Sequence, residues 1–287
     1  MKKLKKIDRK LLIVFLLSLV MVSSCSDDFI DVAPSEENSE DFFNTEADYQ
    51  NALIGAYDML QSSFMNVLLG EIASDNTLCG GESATDVPSY QQVDDMIHTP
   101  VNSELRNIWS WMFAGVNRAN YILEFQDKLD FEGKDIVLGQ ARFLRAYYYF
   151  ELVKWFGDVP LVVDQRILFG QQFEVDRTPK AEVYEQIEQD LIYATNVLPL
   201  VQAEIGRVTK GAAQSLLGKV YLYQDKFSEA SNALENVINS GQYQLLTDDY
   251  ANMFENDYEN NIESVFEVQY TDFQGAGFGC LQCSEGN

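Results

Sequence analysis

Cys25 is the residue whose surroundings say most about its chemistry. Before it come a positive start (Lys2, Lys3, Lys5, Lys6, Arg9 and Lys10), an apolar run from Leu11 to Val22, and the small pair Ser23-Ser24. After it come Ser26, Asp27 and Asp28. The apolar run is shorter than the ~20 residues a bilayer-spanning helix needs, and it has the layout of a secretory signal. The small residues before Cys25 resemble a bacterial lipobox, in which the signal is cut before the Cys and the new N-terminus is acylated. The expectation is loss of residues 1–24 and anchoring through lipid on Cys25, with more than one acyl chain for stable attachment. An ordinary signal peptide, with Cys25 a plain thiol, is the alternative.

The other reactive groups are sparse. Cys280-Leu-Gln-Cys283, Cys79 and the single His98 fall short of a zinc site, which takes a second Cys pair or His partners. A local disulfide or buried thiols are expected at 280 and 283. Cys79 is then free, or its partner lies outside this sequence. No metal or cofactor is expected. Arg142 and Arg145, three apart on one helix face, suit an anionic ligand, but pairing with acids inside the fold is the expected role. Two carboxylates facing each other across a cleft would make a glycosidase. Acids are plentiful enough to leave that open, although no nucleophile elbow or Gly-rich phosphate loop appears.

The whole chain carries a formal charge of −25. Removing residues 1–24 takes away six basic residues and one acid, leaving 14 basic against 44 acidic residues, a balance of −30. That excludes nucleic acid as a partner, because a polyanion needs a basic footprint. It equally excludes docking on an anionic membrane through charge. Solubility at a crowded surface accounts for the acidity.

These residues must be positioned by helices. Leu53, Ala56, Tyr57, Leu60 and Phe64 form one apolar stripe at helical spacing, with Thr45 and Asp48 as a capping box. Trp109, Met112, Val116, Ala119 and Leu123 form a second stripe. Leu138, Ala141, Leu144, Tyr148, Leu152 and Trp155 form a third, apolar on most sides and so central, ending at Gly157-Asp-Val-Pro160. Thr178-Pro179 opens a fourth helix, with Thr as N-cap and Pro at the first helical position. Further helices follow from about Thr209 to Tyr223 and from Ser228 to Asn239. Leu217-Gly218-x-x-Tyr221, then Ala230 and Leu234, fit a tetratricopeptide repeat. Ser264 to Tyr270 reads as a strand whose partners should lie further on, so the sequence looks cut off. Residues 26–40, acidic and polar, read as a tether. Asp75 to Ser103 has no period, and long irregular segments of that kind often carry function.

Four ordered blocks then point one way. They are Cys25-Ser-Asp-Asp-Phe-Ile-Asp-Val-Ala-Pro34, Ala141-Arg-Phe-Leu-Arg-Ala-Tyr-Tyr-Tyr-Phe-Glu-Leu-Val-Lys-Trp-Phe-Gly-Asp-Val-Pro-Leu161, Arg177 to Leu191 and Thr209 to Tyr223. Together they resemble the SusD/RagB-like outer-membrane nutrient-binding lipoproteins. The resemblance implies a mostly α fold, a tetratricopeptide-like superhelix of helix pairs with long irregular loops, of which the C-terminal half is missing here. It implies a signal at 1–24, a tether at 25–40 and a helical region at 41–287. It implies capture of a glycan, or in some members a peptide, without catalysis. The partner it implies is a SusC-type TonB-dependent transporter, at the outer face of the outer membrane. A surface glycosidase or other hydrolase, and a tetratricopeptide protein-docking module, are the competing readings.

Sugars need flat aromatics for their C–H faces and planar amides or carboxylates for their hydroxyl edges. The 75–103 segment offers Tyr90 and Gln91 first, then Asn76 and Asn102, and these are the candidate ligand contacts.

Overall fold

The computed structural model describes residues 39–270 except 82, 84, 164, 169–174 and 248. Cys25, residues 26–38 of the tether, Cys280 and Cys283 lie outside the described residues. Contacts divide the chain into 1–42, described by one helical turn α1 (Ser39–Phe42), and 43–287, which holds the rest.

In the second unit the helices are α2 (Glu46–Asp58), α3 (Phe64–Ile72), α4 (Pro88–Asp94), α5 (Ser103–Glu124), α6 (Lys134–Phe156), α7 (Lys180–Val197), α8 (Lys210–Leu222) and α9 (Phe227–Ile238). From α5 onward each packs on the next, and α2 lies on α5 and α6. This is the expected stack of antiparallel pairs. α6 is its centre: Ala141, Leu144, Tyr148, Tyr149, Phe150 and Leu152 are all fully buried. Burial of one such large side chain contributes about 1.5–3 kcal/mol.

Two glycines set how closely the pairs approach. A Cβ on Gly115 would come within 2.5 Å of the Tyr148 ring, and one on Gly218 within 2.7 Å of Leu234. α5 therefore rests directly on α6, and α8 on α9, as the repeat pattern requires.

The helix starts show what the sequence pattern resolves and what it does not. Thr45 and Asp48 form the expected reciprocal capping box. The fourth helix differs by one step. Pro179 is its N-cap residue and Thr178 forms an isolated antiparallel bridge with Val159. The cap itself comes from Asp158, whose Oδ1 accepts from the Lys180 amide at 2.8 Å. The first stripe also breaks. Residues Met59–Ser63 tighten to a 3-10 turn, which rotates the following residues off the stripe, and Phe64 is left exposed. Ser264–Tyr270 forms no strand, and no described strand lies beside it. It is held by side chains instead: Phe266 meets the Phe143 ring edge-on at 5.9 Å, and the Tyr270 hydroxyl donates to the Gln61 carbonyl at 3.1 Å.

Gly115→Ala is expected to lower stability by about 1–3 kcal/mol through overpacking against Tyr148, read from the urea midpoint. Gly55→Ala is the control. A Cβ there meets nothing within 4 Å, so it should raise stability by about 0.4–1 kcal/mol.

Candidate functional site

The segment expected to be irregular contains a short helix. α4 begins at Pro88, after Val87 turns into the left-handed region at φ 39°. It carries Tyr90 and Gln91, both half-buried. A period-based reading misses it because seven residues are too few to show a repeat.

What fixes α4 is Asn102. Its Oδ1 caps α5 by accepting from the Glu104 and Leu105 amides at 3.0 and 3.2 Å. Its Nδ2 donates back to the Ser89 carbonyl at 2.9 Å and to Gln92 Oε1 at 3.0 Å. The residue is 4% exposed. Both ends of its amide are thus used, and the expectation of Asn102 as a ligand contact gives way to a structural role. The signal for that role was in the sequence: Asn two residues ahead of Glu104, opening a helix.

The other candidates fall around α4. Gln91 donates one amide hydrogen to the Ser83 carbonyl at 3.3 Å. Asn76 is exposed, with its backbone amide donating to Ser74 Oγ at 3.3 Å. The chain just after it is tied to α4 where the Cys79 amide donates to Asp94 Oδ2 at 2.9 Å. Leu78, Ile97 and Val101 are exposed on the same lobe, and the sequence reading did not single them out. Cys79 is a free thiol. Burial first, then Asp94, Asp86 and Asp95, push its pKa up, which favours the unreactive thiol form. His98 is exposed. Among the described residues no group of three or more His, Cys, Asp or Glu side chains could hold a metal. Nor is any described helix long and apolar enough to cross a membrane.

The arginine pair faces inward, as expected. Asp190 is fully buried, and Arg145, 3% exposed, grips it with two bonds of 2.7 and 2.8 Å. Arg142 reaches the same carboxylate at 3.3 Å and stacks on Tyr193.

Residues 28–222 match a family model described as starch-binding, associating with outer membrane. The chain belongs to the SusD-like family. It is 30% identical to SusD-like protein P2 of Formosa agariphila, over 94% of this chain and 55% of that one. It is 26% identical to a SusD-like protein of Bacteroides ovatus, over 90% of this chain and 49% of that one. Among solved structures, it is similar to a laminarin-binding SusD-like protein (TM-score 0.71, 31% identity, 78% of this chain and 51% of that one). It is also similar to surface glycan-binding protein A from Bacteroides thetaiotaomicron in complex with laminarihexaose (TM-score 0.71, 28% identity, 80% of this chain and 50% of that one). The chain spans about half the length of the relatives it matches.

Asn102→Ala should cost about 0.5–2 kcal/mol through loss of the cap and loosen α4. Hydrogen exchange should speed up at residues 88–94 more than at α6. Asn102→Asp keeps the acceptor for the α5 amides but turns a carboxylate oxygen toward the Ser89 carbonyl, so it should preserve the start of α5 and still speed exchange at residues 88–94.

Proposed function

We propose that this chain captures a glycan at the cell surface without cutting it. It is anchored in the outer membrane through lipid on Cys25 and faces outward. After a signal at 1–24 and a tether at 25–40, residues 41–287 form the capture region, and a SusC-type TonB-dependent transporter takes up what is bound. One observation carries this reading: the family match over residues 28–222, in a fold shared with a protein solved with laminarihexaose. The lobe chemistry supports it. Tyr90 supplies a ring for a sugar face, and Gln91 and Asn76 supply planar amides for hydroxyl edges.

The test is binding and product together. Tyr90→Ala should weaken retention on the preferred glycan in affinity gels about tenfold, on the order of 1.4 kcal/mol, with the melting temperature nearly unchanged. Long incubation with the same glycan should release no new reducing ends; their appearance would replace capture with hydrolysis.

Anchoring is tested separately. Cys25→Ala should abolish incorporation of labelled fatty acid and release the protein from membranes. Continued labelling of that variant would rule out the lipobox.

A further inference from the structure

The residue pattern marks Ser264–Tyr270 as a strand, and capture of a glycan at the lobe makes no use of it. From Phe266 to Tyr270 the chain forms no helix, turn or bend. The amides of Phe266, Glu267, Val268 and Gln269 donate to no acceptor among the described residues. The carbonyls of Phe266 and Val268 accept from no described donor either, whereas the Glu267 carbonyl accepts from Gln269 Nε2 at 3.2 Å. In a strand, residues two apart point their main-chain groups the same way. Phe266 and Val268 thus offer two N–H and two C=O groups along one edge. Both residues are half-buried, and main-chain groups in such places are nearly always paired. An unpaired edge of this kind is a template for a further strand.

Two hollows border the edge and say what that strand carries. One, of about 330 Å³, is walled by Phe266 and Val268 together with Leu60, Phe143 and Leu216, and its one charged residue is Lys219. The other, of about 380 Å³, is walled by Glu267 together with Glu255, Glu259 and Glu263, and by no Lys or Arg. Glu255 and Glu259 are exposed. None of the four carboxylates is in an ion pair among the described residues. Side chains alternate between the two faces of a strand. Phe266 and Val268 on one hollow and Glu267 on the other follow that alternation. An added strand in register sets apolar side chains on the first side and basic ones on the second.

Charge separates the possible occupants. Residues 271–287 carry two acids and no Lys or Arg. A second copy brings the same acidic wall and a formal charge of −25. Both are repelled by the glutamates. We propose that the 266–269 edge docks a β-strand of a different protein, one that alternates apolar side chains with Lys or Arg. The docking surface owes nothing to the glycan reading, since it uses main-chain groups and walls away from Tyr90.

The test is hydrogen exchange by mass spectrometry on the 287-residue chain. The probe is an acetylated, amidated octapeptide alternating Lys and Val. Exchange at residues 266–269 should be fast in the free chain and slow at least about fivefold with the peptide; no slowing overturns the proposal. The same peptide N-methylated at every residue keeps its side chains and charge but cannot donate. It should bind about tenfold more weakly, the size of one or two hydrogen bonds, and equal protection by it overturns strand addition. A Glu-Val octapeptide should protect nothing, and protection by it overturns the choice of a basic strand. Replacing two exposed side chains, Glu255→Gln with Glu259→Gln, should weaken the Lys-Val peptide about 2- to 10-fold; an unchanged affinity overturns that choice too. Slow exchange at 266–269 before any peptide is added shows the edge already filled, by residues 271–287 in a monomer or by a second copy where light scattering finds a dimer, and either overturns docking of a different protein.

Discussion

The scaffold depends on one buried charge pair. Asp190 on α7 has no access to water, and Arg145 on α6 meets it with two parallel bonds. The same guanidinium donates to Asn120 on α5 and to the Val163 carbonyl, at 2.9 and 2.8 Å. Asn120 in turn donates to the Val162 carbonyl at 2.8 Å, and the Tyr149 hydroxyl both donates to that carbonyl and accepts from the Val162 amide. Three helices and the connector between α6 and α7 are joined at this point. Desolvating such a pair is costly, and it repays little net stability compared with well-packed carbon. Its value is in register. Removing Arg145 leaves the buried carboxylate with only the longer Arg142 contact, and removing Asp190 leaves the Arg145 charge uncompensated, so α5, α6 and α7 hold one arrangement.

The helical stack was legible because burial imposes a period. α6 is apolar nearly all round and sits at the centre. Gly218 and Ala230 lie where a close helix pair needs small residues. Helix ends were less legible. Thr178 fits the N-cap pattern, but the bridge to Val159 draws it into a connector, and Asp158, far away in sequence, supplies the capping oxygen. The 264–270 segment alternates like a strand, yet alternation only describes two faces. Whether a strand forms depends on a neighbouring backbone, and none stands beside it among the described residues. The missed α4 and the broken first stripe are the same limit at short range, because one or two turns leave no period to read.

At the lobe, sequence chemistry named residues that the fold holds in different ways, and Asn102 is tied into the scaffold. Asn, Gln and Tyr in a loop look alike whether they await a ligand or tie the loop down. Only geometry separates Asn102, with every polar atom committed, from Gln91, which gives up a single bond to Ser83.

The way Asn102 joins α4 to the first turn of α5 has a thermodynamic consequence. Ordering a free backbone costs about 1–2 kcal/mol per residue. Here that entropy is lost during folding, when α5 forms and its cap closes. For the sugar proposed to bind at Tyr90 that surface is preorganised, so more of its contact energy would appear as affinity. The same join ties the rate at which the surface comes apart to fraying of a 22-residue helix rather than to loop motion.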